Sequence, residues 1–117
     1  WRTQKLTQEL LAKHFKNSPD GLPGNDDTGT MSTWAVFAMV GFYPDDATSP
    51  SYTFTTPVFD KISLQLSNNK QLEIQVIRPN SNAQFIDKIE IDGKRYNNFR
   101  ISHADLVKAS KIVFYLK

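Results

Sequence analysis

One segment of the chain restricts its possible folds more than any other. Residues 31–42 read MSTWAVFAMVGF, so apolar side chains recur all round a helical turn. We predict a helix that begins at Thr28 or Thr30 and ends at Val40, with Gly41 as the residue that closes it. A helix without a polar face is buried in a larger body or lies in a membrane, and this one is too short to span a bilayer. One further small helix cannot cover it on every side, so the sequence indicates a segment of a larger protein.

The sequence before this segment predicts one amphipathic helix. Thr3 is a possible N-cap, and Gln, Glu and Lys occupy the face opposite the apolar residues. We expect the helix to end around Asn17, because the residue that precedes Pro19 avoids helical geometry. The predicted apolar face consists of Leu6, Leu10, Leu11 and Phe15.

From residue 44 onward the spacing of apolar residues changes to strict alternation, which is typical of strands. Asp92-Gly93 predicts a type I′ hairpin, because both residues tolerate positive φ. Asn68-Asn69 predicts a second turn between strands. These patterns indicate a small antiparallel β-module of five to seven strands.

The segment SHADLVK predicts a short helix within this module, capped by Ser102. The fold class that follows is α+β, with two N-terminal helices followed by the antiparallel β-module. We place the boundary between a helical segment, residues 1–43, and the β-module, residues 44–117.

Composition excludes several classes of function. Fourteen basic residues against twelve acidic ones give a net charge of +2, and the basic residues are scattered. A nucleic-acid-binding surface needs them clustered, so no nucleic acid partner is expected. The chain has no cysteine and therefore no disulfide or thiolate metal site. No apolar stretch is long enough for a membrane span.

Few residues could carry chemistry. His14 and His103 have no Cys, His or acidic partner at metal-ligand spacing, so structural roles are expected for both. No glycine-rich phosphate loop is present. The remaining candidates are Asn25, Asp26 and Asp27, in the loop GLPGNDDTGTMS that leads into the apolar helix.

This loop has three interpretations. Asn and Asp residues cap helix N-termini, where their charge suits the helix dipole. A calcium loop of the EF-hand type fails, because it would need glycine at Thr30 and glutamate at Val36. A carboxylate at the mouth of a buried helix could instead act as a catalytic base on a sugar or ester. On the residues alone, capping and catalysis stay open, with capping favoured.

A family resemblance changes this balance. The stretch DGLPGNDDTGTMSTWAVFAMVGFYP resembles the C-terminal signature of family 92 glycoside hydrolases, the calcium-dependent exo-acting α-mannosidases. WRTQ at the start, SPSYTFTTPVFDKISLQL in the middle and IDGKRYNNFRISHADLVKASKIVFYL at the end also resemble family segments. The resemblance covers essentially the whole chain.

The resemblance implies an architecture. Such enzymes combine an N-terminal β-sandwich with an (α/α)6 barrel, and the active site lies between them. This chain would supply the last helices of the barrel and the β-structure that follows, with the rest of the parent enzyme as its partner. The substrate would be a mannose-containing glycan, of the α-1,2-linked N-glycan type. The location expected for the parent is secreted, periplasmic or on the cell surface.

The resemblance also implies roles for individual residues. The family inverts the anomeric carbon, which takes a general acid and a general base with a water between them. Asp27 matches the base, and Asp26 would orient the base or the water or bond the sugar. Asn25, where some members have Asp, would contact substrate. The general acid, a glutamate, has no candidate here and must come from outside the chain. A calcium ion is implied, but no ligand for it can be identified.

Three hypotheses therefore stand. In the first, the chain is the C-terminal part of an α-mannosidase and is inactive alone. In the second, it is a non-catalytic carbohydrate- or protein-binding module whose aspartates only cap a helix. In the third, it is a structural fragment held in an oligomer by its apolar helix.

Overall fold

The computed structural model describes residues 1–67 and 69–117. Two helices come first along the chain, seven strands follow, and a third helix precedes the last strand; a 3₁₀ turn, Asp27–Gly29, lies before the second helix. The helices are α1 (Arg2–His14), α2 (Thr30–Val40) and α3 (His103–Lys108). The strands are β1 (Phe42–Tyr43), β2 (Ser51–Phe54), β3 (Lys61–Gln65), β4 (Gln71–Ile77), β5 (Ile86–Ile91), β6 (Lys94–Tyr96), β7 (Arg100–Ser102) and β8 (Lys111–Leu116). The α+β class predicted from the sequence is confirmed.

Both ends of α1 differ from the prediction. Thr3 is not the N-cap, because the helix already begins at Arg2 and Trp1 occupies the cap position without a side-chain bond. The helix ends at His14 rather than near Asn17, since the next residue has extended backbone angles. The stop therefore comes from the local backbone, several residues before the proline.

The apolar face predicted for α1 is largely uncovered by the described residues. Leu6 is 57% exposed and Leu10 is 44% exposed. The buried residue of this helix is instead Gln4, which is 5% exposed. Its Oε1 accepts hydrogen bonds from Thr56 Oγ1 at 3.0 Å and from the backbone N–H of Ile86 at 2.9 Å. A polar side chain thus attaches α1 to the β-structure.

Helix α2 has the predicted bounds, from Thr30 to Val40. Gly41 follows in the left-handed region, with φ of 97°, and a Cβ there would lie 2.5 Å from Pro57 Cγ. Glycine is therefore required both by the backbone angle and by the close approach of the next segment. The apolar surface of α2 is only partly covered, since Val36 is 55% exposed.

Two sheets follow the helices. A three-stranded antiparallel sheet has the order β1-β2-β7, and a five-stranded sheet has the order β3-β4-β8-β5-β6. One pairing corrects the antiparallel prediction, because β4 and β8 are parallel. Alternating hydrophobicity does not encode strand direction, and here the chain returns through β5, β6, β7 and α3 before β8 runs alongside β4. The seven strands from β2 to β8 lie within the predicted β-module.

The hydrophobic core lies in this β-structure and includes fully buried Phe54, Leu72, Ile74, Ile112 and Phe114. Alternate residues of β4 and β8 point into this core, which explains why apolar and polar residues alternate in the sequence of both strands. Among the described residues, no helix combines the length and the hydropathy needed to cross a membrane.

The predicted turn and cap in the β-module are confirmed. Asp92 (φ 49°) and Gly93 (φ 78°) form the corner of the β5–β6 hairpin, as a type I′ turn requires. Ser102 Oγ accepts the backbone N–H of Asp105 and caps α3. The turn predicted at Asn68-Asn69 includes Asn68, which lies outside the described residues.

Candidate active site

The three candidate residues lie on the loop that enters α2. Thr28 and Gly29 both have left-handed backbone angles, with φ of 59° and 84°. Glycine adopts this region readily, whereas a β-branched residue such as threonine rarely does. A backbone held in such a conformation costs about 1–3 kcal/mol and persists only where surrounding contacts determine it. Asp27 lies immediately before strained Thr28.

Asp26 is anchored to the first turn of α2. Its Oδ1 accepts the backbone N–H of Ser32 at 2.7 Å, and its Oδ2 accepts the Ser32 hydroxyl at 2.7 Å. These hydrogen bonds, the backbone one first, hold the pKa of the Asp26 carboxyl below its ordinary value. Asp26 therefore performs the capping that the sequence pattern suggested, and both of its carboxylate oxygens are engaged.

Asp27 has the opposite arrangement. Its backbone carbonyl accepts the hydroxyls of Thr28 at 2.6 Å and Thr30 at 2.7 Å. Its carboxylate is exposed and makes no hydrogen bond or ion pair with any residue in 1–67 or 69–117. The backbone of Asp27 is thus fixed while its acidic group remains free. Of these two adjacent aspartates, Asp26 is bound to α2 through its carboxylate, whereas the Asp27 carboxylate has no partner among the described residues.

Asn25 is exposed at the start of the same loop, and its side chain contacts no hydrogen-bonding partner in the described part of the chain. Ser32 is the residue that the sequence reasoning missed. Ser32 lies in the first turn of α2, six residues after Asp26. Backbone N–H groups in the first turn of a helix lack partners within the helix and are often bound by a carboxylate, so this position could have indicated the contact.

The two glutamates of the β-module form ion pairs. Glu73 lies 3.1 Å from both Lys61 and Lys111, and hydrogen bonds to these lysines, Lys111 first, lower its pKa. Glu90 is bound to Lys88 and to the Tyr115 hydroxyl, which lower its pKa in the same way. A general acid needs a raised pKa, so neither glutamate suits that role.

The third glutamate, Glu9, lies on α1 beside Lys5. His14 is exposed, and His103 Nδ1 lies 2.9 Å from the Tyr52 hydroxyl. No group of three or more His, Cys, Asp or Glu residues in the described ranges could hold a metal ion. Calcium takes six to eight oxygen ligands, and both oxygens of Asp26 already accept hydrogen bonds from Ser32. The calcium ion implied by the resemblance therefore does not fit a site formed by these residues alone.

Two grooves flank α2. One, of about 690 Å³, lies between α1 and α2 and reaches Ser32, and it is lined mainly by apolar side chains such as Leu11, Val36 and Met39. The other, of about 410 Å³, is lined by Leu10, Phe15, Trp34 and their neighbours. Asp27 does not line either groove.

The solved structures to which this chain is similar include glycosidases. An α-mannosidase of family 92 from Bacteroides thetaiotaomicron, in complex with mannoimidazole, matches the whole chain with a TM-score of 0.92 and 29% identity. A family 92 inverting mannosidase from the same organism matches it with a TM-score of 0.87 and 25% identity. An uncharacterized secreted glycosidase from Arthroderma benhamiae is 28% identical over 102 residues, 85% of this chain.

The family follows directly. The model of the glycosyl hydrolase family 92 catalytic domain matches residues 1–117, and the chain belongs to this family. The chain spans only a small part of its relatives: 15% and 16% of the two mannosidase chains and 13% of the fungal glycosidase.

Proposed function

We propose that this chain is the C-terminal part of an inverting exo-α-mannosidase and that Asp27 is its general base. Membership of the family and the similarity to mannosidase structures, one of them inverting, support the reaction class. The finer proposal is removal of terminal α-1,2-linked mannose from N-glycan-type mannosides. A secreted, periplasmic or cell-surface location accompanies it, in keeping with the secreted fungal relative.

The assignment to Asp27 rests on the difference in hydrogen bonding between its carboxylate and that of Asp26. Hydrogen bonds that stabilise the charged form of a carboxylate lower its pKa and make it a weaker base. Both oxygens of Asp26 accept hydrogen bonds from Ser32, whereas the Asp27 carboxylate is exposed and unpartnered among the described residues. Asn25, exposed on the same loop, is proposed to hydrogen-bond the sugar.

The proposed step follows the inverting scheme. The Asp27 carboxylate removes a proton from water as the water oxygen attacks the anomeric carbon from the face opposite the leaving group. The bond to the leaving oxygen breaks as a general acid protonates that oxygen. This acid is proposed to be a glutamate outside the chain, since the pKa values of Glu73 and Glu90 are lowered.

The exposed apolar surface of the helical segment supports a place in a larger enzyme. Leu6, Leu10 and Val36 are about half exposed, and a contiguous apolar surface marks an interaction site. We propose that the remainder of the parent enzyme covers these faces. The isolated chain would then lack both the acid and part of the sugar site, so it should show no mannosidase turnover.

The test is Asp27→Asn in the full-length parent enzyme, assayed for kcat on a mannobioside. Loss of a general base costs about 10²–10⁴ in rate, while the melting temperature should change little because the Asp27 carboxylate has no partner in residues 1–67 or 69–117 to lose. Asp46→Asn is the matched control, since Asp46 is another loop aspartate and its carboxylate accepts hydrogen bonds from nearby Thr48. Full activity of Asp27→Asn, or turnover by the isolated chain, would refute the proposal.

A further inference from the structure

The strongest feature outside the base itself is the double hydrogen bond between Ser32 and Asp26. It joins residues that are six positions apart, and the intervening chain carries Asp27. We propose that Ser32 is a positioning residue for the reaction: by holding both oxygens of Asp26, it fixes the loop that presents the Asp27 carboxylate. The inference rests on the proposed role of Asp27.

The hydrogen bonds around Asp26 show why the loop depends on this contact. The Asp26 carbonyl accepts the backbone N–H groups of Gly29 at 2.6 Å and Thr30 at 2.8 Å. Together with the Ser32 bonds, Asp26 accepts four hydrogen bonds from the start of α2. Ser32 Oγ also lies 3.2 Å from the Gly29 carbonyl. Asp26 therefore connects the loop to the rigid helix through both its backbone and its side chain.

The contact between Ser32 and Asp26 matters because the backbone at Thr28 is strained. Thr28 and Gly29 have left-handed angles, and Thr28 relaxes readily to the ordinary right-handed region unless the ends of the loop are held. Rotation at Thr28 would redirect the peptide of Asp27, which precedes it. Without the Ser32 side chain, one of the two bonds to the Asp26 carboxylate is lost and the loop gains alternative conformations.

Catalysis is sensitive to such displacement. A general base must lie about 2.6–3.2 Å from the proton donor that it serves, and a shift of about 1 Å can cost 10²-fold in rate. Substrate binding, in contrast, depends on contacts that the rest of the enzyme also supplies. Loosening the loop should therefore lower kcat and leave KM nearly unchanged.

The chain offers a matched control for mere helix stabilisation. Ser102 and Asp105 form the same kind of pair at the start of α3: the Ser102 hydroxyl donates to Asp105 Oδ2 at 2.7 Å and accepts the Asp105 N–H at 3.0 Å. This pair belongs to the β-module and lies on a different helix from the loop of Asp27. Removing the Ser102 hydroxyl therefore breaks a serine–carboxylate hydrogen bond of the same kind and leaves the proposed site unchanged.

The experiment compares Ser32→Ala, Ser32→Thr and Ser102→Ala in the full-length parent enzyme, with kcat, KM and melting temperature measured for each. We expect Ser32→Ala to lower kcat about ten- to a hundredfold with KM within about twofold. Ser32→Thr keeps the hydroxyl and should recover most of the rate. Ser102→Ala should lower the melting temperature and leave kcat unchanged.

A pH profile adds a readout that a purely structural role would not move. The backbone N–H of Ser32 and, after it, the Ser32 hydroxyl lower the pKa of Asp26. Ser32→Ala removes only the hydroxyl bond, so this pKa rises part of the way toward its ordinary value and Asp26 takes up a proton at higher pH. The acidic limb of the kcat profile should therefore shift to higher pH in Ser32→Ala and stay in place in Ser102→Ala. If Ser32→Ala does not fold, Asp26→Glu serves instead, since its longer side chain keeps the charge but displaces the loop and should lower kcat.

The two proposals fail separately. An active Ser32→Ala or Asp26→Glu enzyme, beside an inactive Asp27→Asn, overturns the positioning role and leaves Asp27 as the base. A fully active Asp27→Asn enzyme overturns the proposed function itself. Equal loss of kcat in Ser32→Ala and Ser102→Ala would show a general effect of stability and also overturn the positioning role.

Discussion

The attachment of α1 to the β-structure should depend on one buried amide. Gln4 Oε1 accepts the backbone N–H of Ile86 and faces the Thr56 hydroxyl, which also donates to the Gln84 carbonyl at 2.8 Å. Replacing Gln4 by alanine removes this acceptor. The Thr56 hydroxyl keeps its alternative partner, whereas the Ile86 N–H is left without one in a buried position.

The magnitude follows from that single lost acceptor. A buried donor left unsatisfied costs about 1–3 kcal/mol, so we expect Gln4→Ala to lower the free energy of unfolding by about 2 kcal/mol. An unfolding entropy of about 2.1 cal/mol/K per residue, applied to 117 residues, makes 1 kcal/mol equivalent to about 4 °C. The melting temperature should therefore fall by about 8 °C.

Gln8→Ala is the matched control for this prediction. Gln8 lies on the same helix and its Nε2 donates to the Gln84 carbonyl at 2.8 Å, but in an exposed position. The change in helix propensity is the same in both variants and cancels. We expect Gln8→Ala to cost less than about 0.5 kcal/mol.

Two measurements check the difference: urea unfolding followed by circular dichroism, and hydrogen exchange of the Ile86 amide. Exchange at Ile86 should accelerate in Gln4→Ala and remain protected in Gln8→Ala, because this amide donates directly to Gln4. Equal destabilisation by the two variants, or unchanged exchange at Ile86, would refute the reasoning.

Two further predictions concern backbone geometry and pH. Gly41→Ala should lower the free energy of unfolding, measured in urea, by more than about 2 kcal/mol, because a left-handed backbone angle is combined with a Cβ 2.5 Å from Pro57. Gly93→Ala is the control: its Cβ would meet no atom within 4 Å, so it should lose only the part due to the backbone angle. Equal losses of stability in the two variants would contradict this prediction. Stability should fall as the pH drops below about 4. Carboxyls whose pKa is lowered in the folded protein stabilise it above their unfolded pKa, and they lose that contribution as they protonate. Urea unfolding midpoints measured across this pH range check the prediction, and midpoints that do not change with pH would contradict it. The carboxyls concerned are Asp26, Asp46, Glu73, Asp87 and Glu90.

Local sequence signals predicted much of the fold. The bounds of α2, the type I′ corner at Asp92-Gly93 and the cap at Ser102 were all read correctly. Each depends on the conformational preference or hydrogen-bonding reach of residues a few positions apart. The parallel pairing of β4 with β8 was not predicted, because it depends on where distant segments of the chain return.

The same distinction explains α1. Periodicity identified a helix with a leucine face, and that helix exists. Which face contacts the rest of the chain was decided by partners far along the sequence, Thr56 and Ile86. Leu6 and Leu10 remain exposed, and Gln4 is buried because its hydrogen bonds are satisfied.

At the candidate site, the residues alone left capping and catalysis open for two adjacent aspartates. The family signature, met over the whole chain, determined what kind of protein this is. Only the tertiary structure separated the two carboxylates, because left-handed angles at Thr28 and Gly29 turn the chain so that Asp26 meets Ser32 while Asp27 is left without a partner among the described residues. A motif specifies which groups are present, whereas the direction of each group depends on backbone angles and hydrogen bonds that form only when the loop closes onto its helix.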